Sequence, residues 1–290
     1  LCRRFFTDSI ASQLLLGFIL SFAIGGLAYW RRSLSSSGVL GAVLIGTIIF
    51  GFGGWVRGLV LIAFFVSSSL LSHYRNRRKA GLAEKFAKGN RRDLGQALAN
   101  GGLAAALALV IGLTGNATPV YPVLAMAFYG ALAAVNADTW ATELGVLARR
   151  KPFLITTGVV VPAGTSGGVT PEGTAAALAG ATFIGASGFV LIQIAAWLRF
   201  GTWLLSDWIV ILIAAVAGLV GSLFDSLLGA TLQAIYVCDP CGVETERTVH
   251  RCGRPTRLIR GWRWLDNDGV NFLASVAGAL VAALLGAILF

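Results

Sequence analysis

Eight apolar stretches constrain this chain more than any other feature: residues 10–30, 38–56, 58–72, 95–113, 118–135, 173–198, 207–224 and 269–290. About 18 to 20 apolar residues in helix cover the hydrocarbon of a bilayer, and several of these stretches are that long. Inside hydrocarbon every amide must find its partner within the segment, which leaves helices as the economical solution for such runs. The expected fold is therefore all-α, a polytopic transmembrane helical bundle of about eight spans, forming one integral-membrane domain over residues 1–290 with a Cys/His loop at 237–268. A hydrophobic content of 56% with only 12% charge excludes an ordinary soluble domain. The stretch 173–198 is long and carries Gly180, Gly185 and Gly188, so it is expected to tilt, break or form a re-entrant pair. The stretch 10–30 is too long for a signal-peptide core and no small-residue cleavage site follows it, so it is expected to stay as a span. The chain opens at Leu1 and its single Met is Met126, which places the natural initiator outside it.

Charge sets the orientation. Of 23 Lys and Arg residues, 19 fall in the first, third, fifth and seventh loops: Arg31 and Arg32, eight from Arg75 to Arg92, three from Arg149 to Lys151, and six from Arg247 to Arg263. Cationic loops stay in the cytoplasm during insertion, so these loops are expected inside and both termini outside, in a bacterial inner membrane or its organelle equivalent. The net charge of +10 sits in short juxtamembrane loops, beside anionic lipid headgroups, which excludes nucleic acid as the partner. Eleven of the 13 carboxylates lie on that same side, the exceptions being Asp8 and Asp207. Insertion does not demand acids there, so a polar site for a metal and an anion is expected at this face.

The strongest local pattern is Asn136-Ala-Asp138-Thr139-Trp140-Ala-Thr142-Glu143, which carries the fifth stretch towards the cationic side. On a helix, Asn136, Thr139 and Glu143 share one face, and Asp138 and Thr142 the adjoining one. Hard oxygens so arranged suit Mg²⁺, which takes one or two carboxylates and completes its shell with water and phosphate oxygens; the plain alternative is a solvated helix end. From the seventh stretch onward, Gly218, Ser222, Asp225, Gly229 and Gln233 recur at helical spacing, a narrow stripe with an acid at its centre. An acid bordering hydrocarbon costs about 3 kcal/mol and needs a partner, so Asp225 is either a second metal ligand or an internally bonded packing residue. Gly164-Thr165-Ser166-Gly167-Gly168 offers backbone amides and hydroxyls to an anion, although no Lys follows as in a Walker loop and such segments also serve as connectors. Arg92, Gln96 and Asn100 stack at intervals of four, where Arg92 can grip a phosphate; Lys85, Lys88 and Arg91 can do so too or rest on headgroups. Asp266, Asn267, Asp268 and Asn271 open the last stretch, with Asp268 as the expected helix cap. Finally, Cys238, Cys241, His250 and Cys252 form a Cys3His set suited to a structural Zn²⁺, or else remain reduced thiols.

At NADTWATELG, GTSGGVTPEGT, GSLFDSLLGATLQ and WLDNDGVN, four motifs in order, the chain resembles an integral-membrane family formerly of unknown function. That family includes the plant phytyl-phosphate kinase and animal transmembrane protein 19, and is distantly similar to dolichol and phytol kinases and CDP-diacylglycerol synthases. The resemblance runs from QALANGG to the final span. It implies transfer of a nucleotide phosphate, from CTP or another NTP, to a prenyl monophosphate. It also implies metal and phosphate contacts at Asn136, Asp138, Thr139, Glu143, Asp225, Asp266, Asn267, Asp268 and Asn271.

The combined expectation is a membrane kinase in which Asp138, Glu143 and Asp225 hold Mg²⁺, while Arg92 and the glycine loop steady the phosphates. Two rivals remain: a cytidylyltransferase making a CDP-lipid, and a transporter, which would place its acids nearer mid-bilayer.

Overall fold

The computed structural model describes residues 9–74, 91–115 and 118–290; Lys85, Lys88 and most of the third-loop cations lie outside the described residues. Among the described residues the α-helices are α1 (Ile10–Trp30), α2 (Ser36–His73), α3 (Leu94–Thr114), α4 (Tyr121–Gly145), α5 (Pro171–Phe200), α6 (Ile209–Thr231) and α7 (Asn267–Leu289). Six helical segments among the described residues are long and apolar enough to cross a membrane, and α4 threads between them with every residue from Ala125 to Ala137 buried.

Helix α2 is two spans in one. Gly54 takes φ 78° and ψ 170°, outside helical space, and the chain folds back there. A methyl group at Gly58 would lie 2.5 Å from the Phe50 ring, whereas eight residues along a straight helix separate two positions by about 12 Å. Both arms of α2 reach Arg92: its carbonyl accepts from the Ser35 amide at 2.9 Å, and its guanidinium lies 5.9 Å from the Phe65 ring. Residues 36–53 and 55–73 are thus antiparallel arms, which match the stretches 38–56 and 58–72 and bring the arms of the bundle to eight.

Contacts sort the loops to two ends. At one end Phe52 meets Gly112, Arg57 donates to the Tyr121 hydroxyl at 3.1 Å, and Gly286 meets Met126. At the other, Leu34 bridges Arg92, Gly145 meets Gly173, and Gly167 meets Ala230. The described first, third, fifth and seventh loops all lie at this second, cation-rich end, as the charge pattern requires.

Three expectations need correction. Helix α5 runs unbroken, because its glycines serve close packing: a methyl group would lie 2.9 Å from Trp140 at Gly180, 2.8 Å from Ile211 at Gly185 and 2.6 Å from the Tyr129 ring at Gly188. The cap of α7 is Asp266, whose Oδ1 accepts from the Gly269 amide at 3.0 Å, so Asp268 sits in the first turn instead. The segment after α6 is more than a loop: β3 (Ile235–Cys238), β4 (Val243–Thr245) and β5 (Arg257–Arg260) form an antiparallel sheet in the order β4-β3-β5. A two-residue pairing of β1 (Phe153–Leu154) with β2 (Gly168–Val169) closes the base of the glycine loop.

Candidate functional site

Asp138 and Asp225 come within electrostatic range of each other because three helices cross with almost no side chain between them. Gly221 on α6 and Gly278 on α7 both lie against Ala134 on α4, and Gly221 also lies 3.0 Å, at its would-be methyl, from the Ala274 carbonyl. Asp138 follows Ala134 by four residues and Asp225 follows Gly221 by four, so each projects from the same face one turn nearer the cation-rich end. Asn271, three residues before Ala274, stands at their level on α7. The carboxylates of Asp138 and Glu246 both act electrostatically on that of Asp225, whose Oδ2 is buried with no hydrogen-bond partner among the described residues. Three like charges around a buried, unpaired oxygen are stable only with a cation or a proton among them. The donor set is all hard oxygen, on residues that are half-buried as a whole, which fits Mg²⁺.

The sheet and the glycine loop form one wall. Glu246 Oε1 accepts from Gln233 Nε2 at 2.9 Å and from Ser166 Oγ at 3.3 Å, tying the residue after β4 to the end of α6 and to the loop. Gly167 has φ 82°, and a methyl group there would lie 2.5 Å from Ala230 Cβ and 2.6 Å from its Cα and amide nitrogen. Only glycine meets both demands, the left-handed backbone and the near contact with α6. Gly164 also has positive φ, Thr165 Oγ1 donates to the Pro162 carbonyl at 2.8 Å, and Gly168 N donates to the Thr165 carbonyl at 2.9 Å, so the loop is a set of tight turns. Arg260 reaches over from β5 and donates to the Gly229 carbonyl at 3.0 Å and the Ser166 carbonyl at 3.5 Å.

Arg92 belongs to a second compartment. With Gln96, Asn100 and Ser21 it forms the polar part of a cavity of about 80 Å³, otherwise lined by apolar residues of α1, both arms of α2 and α3, among them Ala42, Ile45 and Phe64. Burial pulls the guanidinium below its ordinary range, and the carboxylate of Glu143 partly offsets this. Glu143 lies five residues beyond Asp138, about 140° round the helix, so α4 presents one acid to the α6 side and the other to Arg92. Asn100 Oδ1 is buried in this region without a hydrogen-bond partner among the described residues, while Gln96 Oε1 accepts from the Asp93 amide in a capping box.

Over residues 19–279 the sequence matches the family described as integral membrane protein DUF92. The chain belongs to that family. Among its relatives, Protein PGR of Arabidopsis thaliana is 34% identical over 96% of this chain and 98% of its own length. An uncharacterized membrane protein of Methanocaldococcus jannaschii is 30% identical over 88% and 86%, and Protein VTE6, chloroplastic, of Arabidopsis thaliana is 26% identical over 87% and 65%. No solved structure matches it.

In this DUF92 chain, not all residues singled out from the sequence turn towards the acids. Asn136 is fully buried: its Oδ1 accepts from the Ser67 and Ser68 hydroxyls at 3.2 Å each and its Nδ2 donates to the Gly180 carbonyl at 2.7 Å. It therefore knots α2, α4 and α5 together. Thr139 Oγ1 donates back to the Val135 carbonyl at 2.9 Å, within its own helix. Asn267 and Asp268 lie in the first turn of α7. Two residues not singled out do join the site, Glu246 and Arg260. Both come from the charged seventh loop, and only the alternation of a strand, with Arg257 and Ile259 exposed and Leu258 and Arg260 half-buried, tells the inward cation from its neighbours.

Proposed function

We propose that this chain is a bilayer-embedded phosphotransferase that moves the terminal phosphate of a nucleoside triphosphate, CTP or another, onto a prenyl monophosphate to give the prenyl diphosphate. One observation carries the proposal: acids from α4, α6 and the β4 edge gather at one end of a membrane bundle, where an arginine heads an apolar cavity. The family resemblance supports the prenyl phosphate as acceptor, and the positive-inside rule supports a cytoplasmic site.

Asp138, Asp225 and Glu246 would hold Mg²⁺, which supplies neutralisation of the phosphate charge. Arg92, aligned by Glu143, binds the acceptor phosphate, and the first isoprene units lie in the apolar cavity while the rest of the tail runs into the bilayer. Arg260 and the glycine loop close the nucleotide side. An oxygen of the acceptor phosphate attacks the terminal phosphorus, the bond to the bridging oxygen breaks, and the nucleoside diphosphate leaves with the electron pair. The acceptor is mostly dianionic near pH 7, its second pKa being about 6, so no base need remove a proton. Rate acceleration then comes from positioning and electrostatics.

The test is purified chain in nanodiscs with Mg²⁺, phytyl or geranylgeranyl phosphate, and terminally labelled CTP, ATP, UTP or GTP. Label in prenyl diphosphate with release of the nucleoside diphosphate is the expected result. Label released as pyrophosphate would instead identify cytidylyl transfer, and absence of transfer from all four nucleotides to either acceptor would refute the proposal.

A further inference from the structure

The sheet beside the acids carries a group of ligands that phosphate transfer does not use. Cys238 ends β3, and the turn after it is held by Cys241 N and Gly242 N, which donate to the Cys238 carbonyl at 3.1 and 2.8 Å. A second tight turn holds His250 and Cys252: Gly253 N donates to the His250 carbonyl at 2.9 Å, and His250 N donates to the Arg254 carbonyl at 2.9 Å. In each turn the residue after the second ligand is a glycine with positive φ, 65° at Gly242 and 80° at Gly253. Two turns of the same build thus face each other across the sheet's end.

Their ligand atoms converge. The three sulfurs and one imidazole nitrogen all lie within 4.8 Å of one another. Cys238 Sγ and Cys252 Sγ are 3.7 Å apart, and His250 Nδ1 is 3.2 Å from Cys252 Sγ. A tetrahedral ion with bonds of about 2.3 Å to sulfur requires a sulfur–sulfur edge of about 3.8 Å, whereas a disulfide requires about 2.05 Å. The spacing therefore suits an ion and not a disulfide. His250 is buried, and its Nε2 has no hydrogen-bond partner among the described residues, so the orientation of the ring is left to Nδ1.

We infer that Cys238 Sγ, Cys241 Sγ, His250 Nδ1 and Cys252 Sγ bind one Zn²⁺ as a closed structural site that fixes the sheet presenting Glu246 and Arg260. Four protein ligands leave no open position for substrate or water, which separates this site from a catalytic zinc. Binding releases three thiol protons, leaving three thiolates and a neutral imidazole around the ion. Glu246 stands between the two turns, four residues before His250 and one after β4, and Arg260 ends β5, which pairs with the strand that Cys238 closes, so the metal fixes the frame that carries both. The site stands independently of the phosphotransferase proposal, because its geometry involves none of Asp138, Asp225 or Arg92.

Metal analysis of the full chain purified in detergent without chelator reads the proposal directly. One zinc per chain is expected, falling to below one tenth in Cys238→Ser and in Cys252→Ser. Because these variants can fail to fold, wild-type protein exchanged with Co²⁺ provides a second reading: a thiolate-to-cobalt charge-transfer band and the visible bands of tetrahedral cobalt are expected. Thiol labelling gives a third, with Cys238, Cys241 and Cys252 protected until a strong chelator is added. Substoichiometric zinc together with thiols that label at once would overturn the site, as would a disulfide between any two of these cysteines found by mass spectrometry, or stoichiometric iron in place of zinc. None of these readings depends on activity.

Discussion

Gly167→Ala, set against Gly158→Ala, isolates what the contact between the glycine loop and α6 does. Both glycines have positive φ, 82° and 69°, but a methyl group at Gly158 has open space around it, while one at Gly167 runs into the Ala230 backbone at 2.6 Å. The backbone cost is common to both, about 1 to 2 kcal/mol for an L-residue in left-handed space. Gly167→Ala adds an overpacking cost of about 1 to 3 kcal/mol unless the loop withdraws. Restoring ordinary contact, about 3.5 Å, needs a withdrawal of about 1 Å. Added to the 3.3 Å between Ser166 Oγ and Glu246 Oε1, that shift takes the pair beyond hydrogen-bonding distance. Withdrawal should occur in preference to global unfolding, because the helices beneath are held by their own glycine crossings. Melting temperatures of the two variants in the same detergent should therefore agree within a few degrees. Their rates should not: a displacement of about 1 Å in a phosphate-positioning element costs about 100-fold in turnover. Initial rates of labelled phosphate transfer, with melting followed in parallel, decide the matter. Activity in Gly167→Ala within threefold of Gly158→Ala would refute the view that seating this loop on α6 positions the reaction.

Asp138→Asn and Asp225→Asn should each lower phosphate transfer at least about 1000-fold while the protein still extracts and elutes as wild type; full activity in both would remove the metal assignment. Glu246→Gln keeps an oxygen that can accept from Gln233 and Ser166, so it should fold and lose activity in a way that raised Mg²⁺ partly restores, as read from the Mg²⁺ dependence of the rate. Ala42→Phe should fill the apolar cavity and raise KM for geranylgeranyl phosphate at least tenfold, while leaving the KM for the nucleotide unchanged. Asn136→Ala removes three interhelical bonds worth about 0.6 kcal/mol each, so unfolding should show a loss of about 2 kcal/mol, and adding Ser68→Ala should cost little more.

How much of this was legible in the sequence follows from what each feature depends on. The spans were legible because bilayer thickness converts directly into a run of apolar residues, and even the turn within α2 showed as the interruption around Arg57. The fate of Gly180, Gly185 and Gly188 was not, since a glycine in a membrane helix marks either a break or a close neighbour and only the neighbours Trp140, Ile211 and Tyr129 decide which. Asp138 and Asp225 stood out because an acid in an apolar run needs a reason. Glu143 stood out equally, yet its direction depends on the partner helices, and it turns to Arg92. The sheet escaped notice because strands of three and four residues are too short for their alternation to emerge from a loop rich in charge and turn residues. With the sheet went Glu246, which no spacing rule connects to Asp225.

On the proposed function most cations at this end would serve insertion, and burial distinguishes those that would serve the site. Arg257 pairs with Asp239 at 3.0 Å, but both side chains are more than half exposed, so water and salt leave the pair worth little. Arg150 and Glu172, 3.9 Å apart, are exposed too, though Glu172 is a little less than half so. Arg92 and Arg260 differ. Each is half-buried against backbone that it shares with a neighbouring segment, Arg92 through the Ser33 and Ser35 pairing and Arg260 through the carbonyls of Gly229 and Ser166. Arg260 also keeps a buried Nε without a hydrogen-bond partner among the described residues. A guanidinium placed this way has already given up part of its hydration before any ligand arrives, so an incoming phosphate meets it at less desolvation cost than it would meet an exposed one. On the proposed function the exposed cations would act at longer range, drawing polyphosphates and anionic lipid headgroups to this end with a strength that falls as salt rises. Added salt should therefore lower kcat/KM for the nucleotide while leaving kcat at saturation nearly unchanged.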